Sequence, residues 1–277
     1  MRVDRLTADS AVAAAISVAS EVGLAAEKAT VLQESNRITM RLLPGDVLAR
    51  VSQAPESSRF EVEVARRLTA EGSPVAAPDP RVPPIVHERD GHAVTLWTYH
   101  EPLTGEITPV DYAGALHRLH AGMRGLEVST PHFTDRVEQA QRLVADRERS
   151  PDLPDDDRDL LDVTLRELRR RVTERGRPEQ VLHGEPHPGN VLQTTDGPLF
   201  IDLETCCRGP VEFDLAHAPD EVGDHYPGVD HDLLRDCRLL TLAMITAWRW
   251  DRDDRLPDGR RLAAEWLGRI RAAPDQK

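Results

Sequence analysis

Apolar residues fall at helical spacing over residues 8–23, a stretch that Gly23 ends. The run that follows, TVLQESNRITMRLLPGDVLARVSQ, changes period. Its β-branched and apolar residues come in short groups separated by Ser35-Asn36 and Pro44-Gly45-Asp46, which predicts three short strands joined by two turns. In PESSRFEVEVARRLTAEG, Phe60, Val64 and Leu68 stand at i, i+4 and i+8 with Gly72 as the stop, so this segment reads as a helix. The Pro-rich SPVAAPDPRVPP reads as a loop, and IVHERDGHAVTLWTY as two strands around an RDG turn.

Beyond residue 100 the pattern is nearly all helical. Thr108, with Pro109 behind it and Asp111 at the third position, marks a helix start that continues through YAGALHRLHAG. Residues 134–148 and 156–175 form further helical stretches, separated by the polar SPDLPDDD. QVLHG, NVLQTT and PLFIDLE then read as short extended pieces with a DG turn between the last two, and helices resume over 211–217, 230–251 and 258–272. No repeat of fixed period and no low-complexity segment interrupts this order. The layout predicts an α+β, bilobal chain. A small N-terminal lobe, residues 1–98, carries an antiparallel sheet and one main helix; a larger, mostly helical lobe, residues 99–277, carries a β-hairpin. A cleft between two such lobes is a natural place for a ligand.

Composition narrows the picture. At 277 residues, 39% hydrophobic and 30% charged, the chain is long enough to bury a core and too mixed for wholesale disorder. No apolar run approaches the roughly 20 residues needed to span a bilayer, and the N-terminal segment carries acids and no signal-peptide core. Cys206, Cys207 and Cys237 include no C-x-x-C pair, which fits a reducing compartment, and a cytoplasmic location is expected. A net charge of -13 disfavours nucleic acid and anionic membranes as partners. The same charge would concentrate a cationic substrate, or serves only solubility. The only lysines are Lys28 and Lys277, so a phosphate-binding cation in the interior has to be an arginine. Oligomeric state is not legible.

The candidate chemistry lies in VLHGEPHPGN, residues 181–190. His183 and His187 around Glu185 resemble H-E-x-x-H, in which two histidines one helical turn apart bind zinc. Gly184, Pro186 and Pro188 argue against the helix that motif needs. The spacing fits a phosphoryl-transfer loop better: an acid, then Asn190 five residues on, then a hairpin ending in Asp202 between Ile201 and Leu203. Asn and Asp supply the hard oxygen ligands that magnesium takes, and histidine does not.

HGEPHPGNVLQTTDGPLFIDLE, followed by RGPVEFDLAH, resembles the aminoglycoside phosphotransferase family, related to choline kinases and more distantly to protein kinases. The resemblance runs from the SNRI turn to about residue 218, and it implies a protein-kinase-like fold that uses ATP and Mg2+. Carried over residue by residue, it implies that Glu185 is the catalytic base and that Asn190 and Asp202 bind magnesium. It makes His183 and Asp214 structural members of the loop, with Asp214 bracing it, although an Asp before LAH also suits a helix cap. It makes Glu204 the carboxylate that faces the acceptor. Arg50 stands at the strand position where the family has Lys, with a helix glutamate as its partner. Glu61 has Val64, Ala65 and Leu68 on its face and Glu63 has Arg66 and Arg67, so Glu61 is the inward candidate. Backbone groups at Trp97, Thr98 and Tyr99 would bind adenine, and the turn around Asn36 would cover the phosphates.

Two departures stand out: Glu185 replaces the family's Asp, and Arg50 its Lys. The implied function is ATP-dependent transfer of the γ-phosphoryl group to a hydroxyl of a small molecule; the alternative is a nucleotide-binding pseudokinase that senses or scaffolds. The acceptor is open among a cationic aminoglycoside or other amine-bearing antibiotic, a sugar, a nucleoside and a macrolide. Trp248, Trp250 and Trp266 are on helices that would wall the acceptor site, or are ordinary core residues.

Overall fold

The computed structural model describes residues 7–35 and 37–273. Helix α1 (Ala8–Glu21) starts at Thr7, whose side chain accepts a hydrogen bond from the Ser10 amide in a capping box. Strands β1 (Ala26–Glu34), β2 (Ile38–Pro44) and β3 (Val47–Ser52) follow, then helix α2 (Pro55–Ala70), β4 (His87–Arg89) and β5 (His92–Thr98). They form an antiparallel five-stranded sheet in the order β1-β2-β3-β5-β4.

Strand alternation decides what each face of this sheet does. Ile38, Met40, Leu42, Val47, Ala49, Val51, Val94 and Leu96 pack with Ala11, Ala14, Ala15, Val18 and Ala19 of α1, where small side chains let the helix approach closely. The intervening position Arg50, paired in register with Thr95, is therefore turned to the opposite face.

The Pro-rich stretch expected as a loop is tied down at both edges. Asp79 and Thr98 amides donate to the carbonyls of Leu96 and Ala77, at 3.1 and 2.9 Å, and Ala76 and Phe200 amides donate to Phe200 and Pro74. Phe200 belongs to the hairpin of β7 (Val191–Thr194) and β8 (Gly197–Phe200) and meets Tyr112 of helix α3 (Pro109–Met123) edge-on at 5.9 Å. Thr108 caps α3 through the Asp111 amide.

Contacts divide the chain into two compact units: residues up to 128 together with 189–205, and residues 129–188 together with 206 onward. This differs from a boundary at residue 98. The bonds to β8 and the Tyr112 contact draw α3 and the hairpin into the unit that holds the sheet.

The second unit comprises α4 (Phe133–Ala145), α5 (Asp155–Glu174), β6 (Gln180–Leu182), β9 (Cys207–Gly209), α6 (Val211–Leu215), α7 (Val222–His225), α8 (His231–Trp248) and α9 (Gly259–Ala272). Leu161, Leu165 and Leu168 of α5 pack with Leu233, Leu240 and Met244 of α8 in one core cluster. No helix among the described residues is long and apolar enough to cross a membrane. β6 falls within the extended QVLHG, whereas its antiparallel partner β9 and the short α7 escape the sequence pattern because each has only three or four residues. PLFIDLE is extended only as far as Phe200: Asp202 has φ 70°, which ends the strand, and Leu203–Thr205 forms a 3-10 turn.

β6 leads into the loop at His183, so its seating matters to the site. A Cβ on Gly209, in its partner β9, would lie 2.9 Å from Phe133 Cδ1 and 3.3 Å from Leu182 Cδ1. Gly209→Ala should therefore lower stability by about 1–3 kcal/mol, measured by urea unfolding. An unchanged midpoint would show that Phe133 yields without cost.

Candidate active site

The first unit contains a cavity of about 220 Å³. Leu32 and Leu48 from the sheet and Leu192 and Ile201 from the hairpin end line it with apolar surface. Thr98, Tyr99 and His100 form one edge, and Arg37, Arg50, Asn190 and Asp202 supply its polar groups. An apolar slot with convergent charged groups suits a ligand that is flat and apolar at one end and anionic at the other.

The polar end is organised around Glu61. Its Oε1 accepts from Arg50 Nη1 at 2.5 Å and from the Leu203 amide at 3.3 Å, and its Oε2 accepts from Arg37 Nη1 at 2.9 Å. Glu61 is 3% exposed and Arg50 7%, so each charge needs the other. Glu63 is turned away and bonds to Arg66 and Arg67, whose guanidiniums hold its carboxyl down at about 2. The Arg50 guanidinium also lies 4.9 Å from the Trp97 ring centroid, and the Trp97 indole donates to Thr95 Oγ1.

Arg37, which follows the β1–β2 turn, enters this group from a position that periodicity does not flag. Its Nη2 pairs with Asp202 Oδ1 and lies 3.4 Å from Glu204 Oε1. Burial opposes the Arg37 charge, yet Glu61, Asp202 and Glu204 outweigh it and raise the guanidinium's pKa. Glu204 also accepts from Ser57 Oγ of α2 at 2.9 Å. Burial raises its pKa, with Arg37 and Ser57 pulling the other way and Asp202 and Glu61 adding to the rise.

Of the backbone expected to contact adenine, Trp97 is buried and the Thr98 amide is committed to Ala77, whereas Thr98 and Tyr99 both line the cavity. The Tyr99 ring lies 4.0 Å from the Arg41 guanidinium. Asn36 falls outside the described residues.

The donor set fits a metal that arrives with phosphates. Asp202 Oδ2 has no hydrogen-bond partner among the described residues, whereas Oδ1 is taken by Arg37. Asn190 lines the same cavity. No group of three or more His, Cys, Asp or Glu that could hold a metal occurs among the described residues. Magnesium on a nucleotide needs no such cage, since one or two protein oxygens suffice beside phosphate and water.

In the second unit, the loop after β6 is held by one buried carboxylate. Asp214 of α6 accepts the His183 amide on Oδ2 and the Gly184 amide on Oδ1, both at 2.8 Å. Asp214 and His183 are fully buried, and Gly184 takes φ 91°, which suits a residue without a Cβ. Asp214 thus joins two successive loop amides from within α6, whose N-cap is Pro210.

Arg136 of α4 donates to the Gly184 carbonyl at 3.3 Å and pairs with Glu185, the expected base. Its guanidinium lies 5.4 Å from the Trp248 ring centroid. Arg37 and Arg136 are the two site residues that sequence reasoning passed over. The scarcity of lysine pointed to arginine as the working cation and could not choose among so many.

Comparison with known proteins identifies the fold and the family. Among solved structures, an amicoumacin kinase, hAmiN, in complex with AMP-PNP, Ca2+ and Ami matches at a TM-score of 0.69 and 13% identity, covering 92% of each chain. A choline/ethanolamine kinase family protein from Mesorhizobium loti matches at 0.68 and 17%, covering 95% of this chain and 93% of that one. The aminoglycoside phosphotransferase APH(3'')-Id from Streptomyces rimosus matches at 0.57 and 18%, covering 96% and 99%. At such identities the likeness is one of fold, and the fold is that of the protein-kinase-like phosphotransferases. The profile of the phosphotransferase enzyme family matches residues 34–236, and the chain belongs to that family. No curated protein matches it in sequence.

His217 completes the surroundings of the loop. Its Nε2 is enclosed with no hydrogen-bond partner among the described residues, and its ring packs on Phe213 at 5.4 Å. Burial lowers its pKa to about 4, against the attraction of Glu185 and with the repulsion of Arg136. The unfolded chain then takes up a proton near pH 6.5 that the folded one refuses until about 4. Stability is full above pH 6.5 and falls as the pH drops through that window. Between pH 7 and 4.5, wild type should lose about 2 kcal/mol more than His217→Phe in urea titrations. Equal losses would contradict the assignment.

Proposed function

We propose that the protein is a small-molecule kinase that moves the γ-phosphoryl group of ATP, carried with Mg2+, to a hydroxyl of a small acceptor. The observation that carries this reading is the cavity of the first unit, which joins an apolar slot to Arg50, Asn190 and Asp202. Adenine takes the slot beside Thr98 and Tyr99. Arg50, fixed by Glu61, binds the α- and β-phosphates as a planar fork where a lysine would act as a point charge. Asn190 and Asp202 give oxygens to the metal. Magnesium held by Asn190 and Asp202 would supply charge neutralisation as negative charge grows on the phosphates during transfer.

Glu185 is the proposed base. It receives the acceptor hydroxyl's proton as the oxygen bonds to the γ-phosphorus and the bond to the β,γ-bridging oxygen breaks, releasing ADP. Arg136 and Asp214 hold the loop in one orientation, so the extra methylene of Glu relative to Asp is accommodated by a fixed backbone. Misplacement by an ångström can cost about a hundredfold. The acceptor is proposed to be cationic, in keeping with the net charge of -13, and Glu204 is assigned to its side of the reaction.

Glu185→Gln should lower turnover at least about 10²-fold and leave nucleotide affinity nearly unchanged, as seen in ADP release with a panel of aminoglycosides, amino sugars and nucleosides. Glu185→Asp should also lose activity, because the loop is braced for the longer side chain. Turnover by the Gln variant at the wild-type rate would remove the proton-accepting role.

A further inference from the structure

Three carboxylates, Glu61, Asp202 and Glu204, face two guanidiniums, Arg37 and Arg50, at the polar end of the cavity. Arg50 touches Glu61 alone among them, whereas Arg37 reaches all three. It therefore occupies the electrostatic position of a cation among ligands of the kind a divalent metal takes. Without Arg37, Asp202 and Glu204 would lose their guanidinium while Arg50 stayed on Glu61, and negative charge left unbalanced attracts a cation.

Arg37 also lines the cavity itself, alongside Asn190 and Asp202. It follows a turn between two strands, so its guanidinium can exchange partners through side-chain rotation. A planar fork now spent on Glu61 and Asp202 can turn to phosphate oxygens without leaving the pocket.

We propose that Arg37 gates metal binding. In the nucleotide-free protein it neutralises Asp202, Glu204 and Glu61 and keeps divalent metal out; when metal–nucleotide enters, it yields Asp202 to the metal and binds the phosphates. The inference rests on the nucleotide reading of this cavity and adds to it an order of events: metal binds only with nucleotide. It also explains why one face of Asp202 is already engaged while Oδ2 has no partner among the described residues.

The test uses two titrations whose signs must differ. Mn2+ alone, followed by electron paramagnetic resonance, should bind Arg37→Gln at least about tenfold more tightly than wild type, because the carboxylates lose their counter-charge. The magnesium complex of a non-hydrolysable ATP analogue, followed by calorimetry, should bind the same variant about ten- to a hundredfold more weakly, because a charged contact to phosphate is lost. Arg37→Lys keeps the charge without the fork, so it should exclude Mn2+ like wild type and still bind nucleotide more weakly. This variant carries the test if the Gln variant fails to fold.

Parallel changes in the two affinities, or no change in either, would overturn the gating role while leaving the nucleotide reading intact. Failure of wild type to bind the magnesium–nucleotide complex at all would overturn both.

Discussion

A carboxylate with almost no access to water has to be neutralised where it stands, and Glu61 is that carboxylate here. Its partners come from separate parts of the first unit: Arg50 from β3, Arg37 after the β1–β2 turn, and the Leu203 amide just past Asp202. Displacing any of these elements removes part of what compensates a buried charge, which is costly. Attraction within such a group barely exceeds the desolvation it requires, so its contribution to net stability is small. What it fixes is position: the strand, the helix, the turn and the segment carrying Asp202 are held to one arrangement around the polar end of the cavity.

The second unit repeats the device with neutral donors. Asp214 collects two successive amides of the loop, and the positive φ of Gly184 lets both point the same way. Arg136 then ties the Gly184 carbonyl and the Glu185 carboxylate to α4. Orientation of the expected base is thus set by backbone hydrogen bonds and by the ion pair with Arg136. The enclosed His217 stays neutral beside this pair down to about pH 4 and adds no competing charge.

Much of this was legible in the residues, for reasons of period. The face of α2 that carries Val64, Ala65 and Leu68 marked Glu61 over Glu63, because helical periodicity states which way a side chain points. Arg50 is marked by the family resemblance, at the strand position where the family has Lys, and in the fold it is turned away from the face that Ala49 and Val51 bury. Arg37 follows a turn, where no period operates, and Arg136 is 49 positions from Glu185, so only folding brings them together. The hairpin strand is shorter than its residues suggest, because Ile201 and Leu203 flank Asp202 like a strand while the left-handed backbone at Asp202 ends it. The allegiance of α3 and the hairpin to the sheet-bearing unit depends on backbone bonds from residues 74–76 to Phe200, which composition does not signal.

The central claim is that the cavity of the first unit holds a metal-bound nucleoside triphosphate through Asn190 and Asp202. Its most direct test is a crystal structure with a non-hydrolysable ATP analogue and Mn2+, the metal located by anomalous scattering. The account predicts one anomalous peak within ligand distance of the Asn190 carboxamide and the Asp202 carboxylate, with the base beside Thr98 and Tyr99. A nucleotide bound elsewhere, or a metal peak that neither residue touches, would contradict it.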